Sequence, residues 1–101
     1  MKVIIAGTVS VPPENVEKLR PHMHTMLAAS RAEDGCETYS YGFDAKEPGL
    51  VRIFEIWRDR EALNAHIKAP HMAPWRAAGA ELGVSDRRLS LYEVASETPL
   101  A

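Results

Sequence analysis

The stretch CETYSYGFDAKEPGLVRIFEIW, residues 36–57, constrains this chain more than any other. It holds two runs of alternating side chains joined by KEPG, a turn-forming tetrapeptide. Side chains point to opposite faces along a strand, so Tyr39, Tyr41 and Phe43 share one face of the first run. In the second, Leu50, Phe54 and Ile56 share one face, while Val51, Ile53, Glu55 and Trp57 share the other. Two such runs with a short turn between them dictate an antiparallel hairpin. The fold class then depends on what flanks that hairpin on either side.

Upstream, VIIAGTVSV (3–11) is rich in β-branched residues and reads as a first strand. Helical spacing follows, with Val16, Leu19, Met23, Met26, Leu27 and Ser30 recurring at intervals of three and four. Pro12 and Pro13 suit the helix start, Pro21 predicts a kink inside it, and Gly35 is placed to stop it. Downstream, Asp59 reads as the N-cap of a second helix, with Glu61 in its first turn. That helix carries Leu63 and Ile67 on its inner stripe and ends before Pro70. A further segment sets Met72, Trp75, Gly79 and Leu82 at helical spacing, with Gly83 as its stop. DRRLSLYEVAS (86–96) alternates as a last strand, and the polar end ETPLA frays.

The order is β-α-β-β-α-β, the ferredoxin-like split βαβ arrangement of the α+β class. It predicts one domain over residues 1–101, with an ordered core from about 2 to 96 and a tail at 97–101. Both helical elements are expected on one face of a four-stranded antiparallel sheet. The hairpin strands are apolar on both faces, so the other face needs a cover, most simply a second copy of the chain in a homodimer.

Composition excludes several classes of partner. The formal net charge is −2, with acidic and basic residues interspersed, and no basic stripe forms a nucleic-acid footprint. Arg87-Arg88 reads as solvated charge at a strand end. No run is apolar and long enough to span a bilayer, and the first residues lack the pattern of a signal peptide, so a cytoplasmic protein is expected. Cys36 is the sole cysteine. It excludes an internal disulfide and reads as a small buried hydrophobe.

The segment EALNAHIKAPHMAPW, residues 61–75, contains His66, His71 and Trp75. Five positions on a continuous helix put the two histidines about 140° apart, and Pro70 interrupts the helix between them. His22 and His24 lie on different sides of the first helix and belong to the surface or a dimer rim. Spacing therefore predicts no metal site.

GCETYSY after a long helix, VRIFEIW on the third strand, and DREALNAHIKAPHM together resemble the antibiotic biosynthesis monooxygenase (ABM) family and its quinol monooxygenase-like branch. The most specific parts are Gly35-Cys36 with Tyr39, Glu55-x-Trp57, and Ala65-His66 with Pro70-His71. The resemblance implies a dimeric α/β barrel. It also implies one of several activities: cofactor-free oxidation of quinols or anthrone-type polyketides, haem degradation, or isomerisation of a signalling sugar. The haem-degrading branch uses an asparagine, a tryptophan and a histidine that fall near Gly7, His66 and Arg76, and none of these matches. No cofactor is expected.

Acid–base chemistry in a dry pocket is then the leading expectation. His66 borders the inner stripe of its helix and is the candidate base. Glu55 shares a strand face with Trp57 and is expected to meet His66 and fix its tautomer. Tyr39, Tyr41, Trp57 and Trp75 are expected to line the pocket against a flat aromatic substrate. His71 is expected to line the substrate pocket and to N-cap the last helical segment. Three functions compete on these residues: a cofactor-independent monooxygenase of a small aromatic hydroxy compound, a proton-transfer or isomerase enzyme, and a non-catalytic dimeric stress-related binding protein.

Overall fold

A computed structural model describes residues 1–101. Its elements are β1 (Val3–Ser10), a 3-10 turn (Pro13–Asn15), α1 (Val16–Arg31), β2 (Cys36–Phe43), β3 (Leu50–Trp57), α2 (Arg60–Ile67), α3 (Met72–Leu82) and β4 (Ser85–Glu93). The strands form one antiparallel sheet in the order β2-β3-β1-β4. This is the expected ferredoxin-like α+β arrangement, with the helical layer on one face.

Strand pairing sets the rows of side chains on that inner face. Leu91, Ile5, Glu55 and Tyr39 stand opposite one another across all four strands. The neighbouring row is Leu89, Gly7, Ile53 and Tyr41. Gly7 has φ +154°, and a Cβ there would lie 1.9 Å from the Arg88 carbonyl oxygen, so only glycine lets β4 approach this closely.

The layer covers the sheet unevenly. Leu19, Met23 and Met26 of α1 are buried against the β2–β3 side, together with Val51, Ile53 and the wholly buried Trp57. Burying an indole of this size stabilises a fold by about 3 kcal/mol. Over β1 and β4 the cover thins, and Ile5, Leu89 and Leu91 are only partly buried. The outer face carries Phe54 and Tyr92, 42% and 54% exposed, with partly buried Ile4 and Ile56 beside them.

Local signals account for most boundaries. The Asp59 side chain accepts a hydrogen bond from the Ala62 N–H at 2.8 Å, the expected N-cap of α2. Gly83 ends α3 in the left-handed conformation. α1 is one helix with Pro21 inside it, as expected. Four details differ from expectation. The helix begins only after the 3-10 turn. It is capped by Ala32, not Gly35. Gly35 instead turns the chain into β2 at φ +84°, where a Cβ would press to 2.6 Å from the Ala62 Cβ. Ile67, placed on the inner stripe by periodicity, is 49% exposed because α2 ends there, at the edge of the sheet's cover. No helix is long and apolar enough to cross a membrane.

Candidate functional site

The thin cover over β1 and β4 leaves a cavity of about 580 Å³ between the sheet and the helices α2 and α3. Its floor is the Leu91–Ile5–Glu55–Tyr39 row, extended by Tyr41 and Leu89. Leu63, His66 and Ile67 from α2 and Met72 and Trp75 from α3 face it from above, and Arg60, Arg76 and Arg87 also line it. Tyr41 meets Trp75 edge-on, with ring centres 5.9 Å apart, and stacks on Tyr39 at 5.6 Å.

His66 is the most constrained side chain at this cavity. It is 3% exposed, and its ring lies 4.6 Å from that of Trp57, centre to centre, tilted by 33°. Nδ1 sits 2.6 Å from Glu33 Oε2, and Nε2 sits 3.2 Å from the Tyr39 hydroxyl. The same Glu33 oxygen is 3.1 Å from Nε2 of His71, which also contacts Ser30 Oγ at 3.2 Å. A carboxylate only accepts hydrogen bonds, so the network assigns the proton of His66 to Nδ1 and that of His71 to Nε2. Nε2 of His66 is then an acceptor, to which the Tyr39 hydroxyl donates. Sequence positions 33, 39, 66 and 71 thus form one chain of hydrogen bonds, partly exposed at Glu33 and His71 and running inward to the cavity.

Glu55 occupies a different niche. It is 6% exposed, and Oε1 accepts from the Trp57 indole N–H at 2.9 Å. Burial pushes its carboxyl above the ordinary value, while the Trp57 hydrogen bond and the nearby His66 pull the other way. The Tyr39 phenol is pushed well above its ordinary value, chiefly by burial. Burial also raises Tyr41. Both phenols therefore stay protonated at neutral pH and serve as hydrogen-bond donors.

The structure brings five of the expected site residues to the cavity: His66, Glu55, Tyr39, Tyr41 and Trp75. Two expectations are corrected. Trp57 does not line the cavity, because it is sealed beneath the His66 ring. His71 lies behind His66 instead of lining the cavity, and although it occupies the N-cap position of α3 its side chain makes no cap bond. The expected orienting partner changes as well. Glu33, not Glu55, fixes the His66 tautomer.

Glu33 escaped the sequence reading because it lies in the short α1–β2 loop, 33 residues from His66, where only the fold makes them neighbours. Arg87 escaped for another reason. As one of a basic pair it read as solvated charge, but the pleat sends it to the face of Leu89 and Leu91 and so to the cavity.

His71 also lies closer to His66 than spacing on a continuous helix allows. The turn between α2 and α3 swings His71 back, so that ligand-capable atoms of Glu33, His66 and His71 lie within 4.8 Å of one another. Glu33 Oε2 is nevertheless closer to both rings than the roughly 3.4 Å that separates ligand atoms around a tetrahedral zinc ion. The geometry is that of a carboxylate bridging two imidazole N–H groups.

Comparison with known proteins agrees with this architecture. The sequence profile of the family described as "Antibiotic biosynthesis monooxygenase" matches residues 2–78. Rv0793 of Mycobacterium tuberculosis, which carries a provisional name as a monooxygenase, is 36% identical over 70 residues, spanning 69% of this chain and 68% of its own. A Synechocystis protein of uncharacterised function, sll1783, is 29% identical over 98 residues, covering 97% of this chain and 67% of its own. A crystal structure from Deinococcus radiodurans, provisionally titled an antibiotic biosynthesis monooxygenase, superposes with a TM-score of 0.88 at 28% identity, covering 100% of this chain and 99% of that one. Shared sequence over most of the domain and a shared fold over all of it lead to one conclusion: this chain belongs to the antibiotic biosynthesis monooxygenase family.

Proposed function

We propose that the protein is a monooxygenase that needs no cofactor and oxidises a small aromatic hydroxy compound of quinol or anthrone type with O2. The observation that carries this reading is the Glu33–His66–Tyr39 chain, which ends in an aromatic-lined cavity with His66 Nε2 as its acceptor. A substrate hydroxyl in the cavity gives up its proton toward Nε2, directly or through the Tyr39 hydroxyl, and Glu33 stabilises the imidazolium that forms. The resulting phenolate passes one electron to O2, and the radical pair closes a C–O bond to a peroxide. For an anthrone CH2 group, loss of water from that peroxide leaves a carbonyl, with one oxygen atom in the product and one in water. Tyr41 and Trp75 stack on the flat ring and limit water near the anion.

The test is O2 uptake with anthrone and with 1,4-naphthohydroquinone, in chelator and without flavin. Uptake above the spontaneous rate, falling at least tenfold in His66→Ala, supports the reading; no uptake with either compound overturns it. An isomerase of a polar metabolite would be better served by a polar lining, whereas nine of the fifteen residues lining this cavity are hydrophobic. A purely structural role for His66 gives no reason for so large a cavity at its ring. We further propose that a second copy covers the outer sheet face at Phe54, Ile56 and Tyr92, whose exposed apolar surface needs such a cover. Sedimentation of Phe54→Lys against the native protein tests it.

A further inference from the structure

The chain has net charge −2, yet its cavity collects arginines and leaves them without acids. Arg20, Arg52, Arg58 and Arg88 each pair with a carboxylate, and all four lie outside the cavity. Arg60, Arg76 and Arg87 line it, and none of the three has a carboxylate partner. Arg60 is bonded to the Asn64 side chain, and Arg76 donates to the Ile67 carbonyl. Arg87 makes no side-chain hydrogen bond or ion pair at all, and the adjacent Asp86 is taken by Arg88 at 3.0 Å.

The one carboxyl that lines the cavity, Glu55, accepts from the Trp57 indole and lies within electrostatic reach of Arg87. Three guanidiniums against at most one carboxylate leave the lining net positive, which favours a ligand of opposite sign. Position adds direction to this field. Arg87 shares its strand face with Leu89 and Leu91, so a flat ring lying on that floor meets the guanidinium at its edge. A planar guanidinium with its donors free matches a carboxylate, which it can hold through two parallel hydrogen bonds.

We propose that the cavity takes an aromatic hydroxy compound bearing a carboxylate, and that Arg87 seats the carboxylate while Arg60 and Arg76 add to the attractive field. The aromatic hydroxy part rests on the monooxygenase reading; the anionic part rests on the arginines alone. Binding of two probes that differ only in the anion, 1-hydroxy-2-naphthoate and 1-naphthol, is measured by calorimetry on the full chain at low salt. The naphthoate is expected to bind at least roughly tenfold more tightly, as a charge-assisted hydrogen-bonded pair provides. That preference should collapse in Arg87→Gln, return in part in Arg87→Lys, and shrink with added salt.

Arg87 is exposed on β4 and supports no other side chain, so Arg87→Gln should melt like the native protein. Equal affinities for the two probes, or a preference that survives in Arg87→Gln, overturns the proposal. Neither probe requires turnover, so the outcome is independent of O2 chemistry. A carboxylate preference without O2 uptake on any quinol would sink the monooxygenase reading alone. Oxidation of neutral quinols without that preference would sink this one.

Discussion

The two halves of the inner sheet face are built from the same alternating pattern but end in different states. Over β2 and β3 the face is sealed except where Glu55, Tyr39 and Tyr41 reach the cavity: Trp57, Ile53 and Val51 lie under the helical layer with almost no contact with solvent. Over β1 and β4 the same pleat presents Ile5, Leu89 and Leu91 to a cavity. His66 and Tyr39 sit on the seam between the halves. The sealed half fixes their rings from behind, and the open half gives them something to act on. Rigidity on one side and space on the other is the arrangement that holding a reactive geometry requires.

Substitutions can break that contrast, and the largest effect is expected on the sealed side. Trp57→Ala removes a wholly buried ring, the stack under His66 and the donor to Glu55, and should destabilise the fold by about 3–5 kcal/mol in urea titration. A loss below about 1 kcal/mol would show that the two halves do not differ in packing. The N-cap change Asp59→Ala should cost about 1 kcal/mol, read from the same titration, since α2 loses the acceptor for its Ala62 N–H. On the open side, Leu89→Ala should cost less than about 1 kcal/mol, because the side chain is only partly buried and borders the cavity.

The smallest effect is expected at Glu55, and it should have the opposite sign. Burial raises its carboxyl above the ordinary 4.5, so between that pH and the folded value the folded chain holds the proton that the unfolded chain has released. Stability contributed by the protonated group is therefore complete below pH 4.5 and is lost as pH rises through the folded value. Glu55→Gln keeps an acceptor for the Trp57 indole and escapes that loss. It should melt slightly higher than the native chain at pH 7 and without advantage at pH 4, as a pair of thermal scans can check. A neutral-pH melting point below that of the native chain would mean that the carboxylate is stabilised by contacts stronger than its desolvation.

Most of the fold was legible because it depends on local periodicities. The alternation in 36–57 set the hairpin and its faces, Asp59 and Gly83 marked helix ends by their own chemistry, and the apolar spacing of Leu19, Met23 and Met26 set the buried side of α1. The site was legible where a residue's face followed from its own element, as for His66, Glu55, Tyr39, Tyr41 and Trp75. It was illegible where loops decided. Glu33 reaches His66 only because α1 ends three residues before expected and the chain turns at Gly35. His71 joins them because the chain does not continue as a helix past Lys68, so angles counted along a straight rod do not apply.

The sheet is one layer thick, and the cavity opens on the side away from Phe54 and Tyr92. Any copy docked on that outer face would leave two cavities pointing away from each other, separated by both sheets. No single ligand could bridge them. Saturation by a cavity ligand should therefore be hyperbolic, with a Hill coefficient of about one whatever the assembly state.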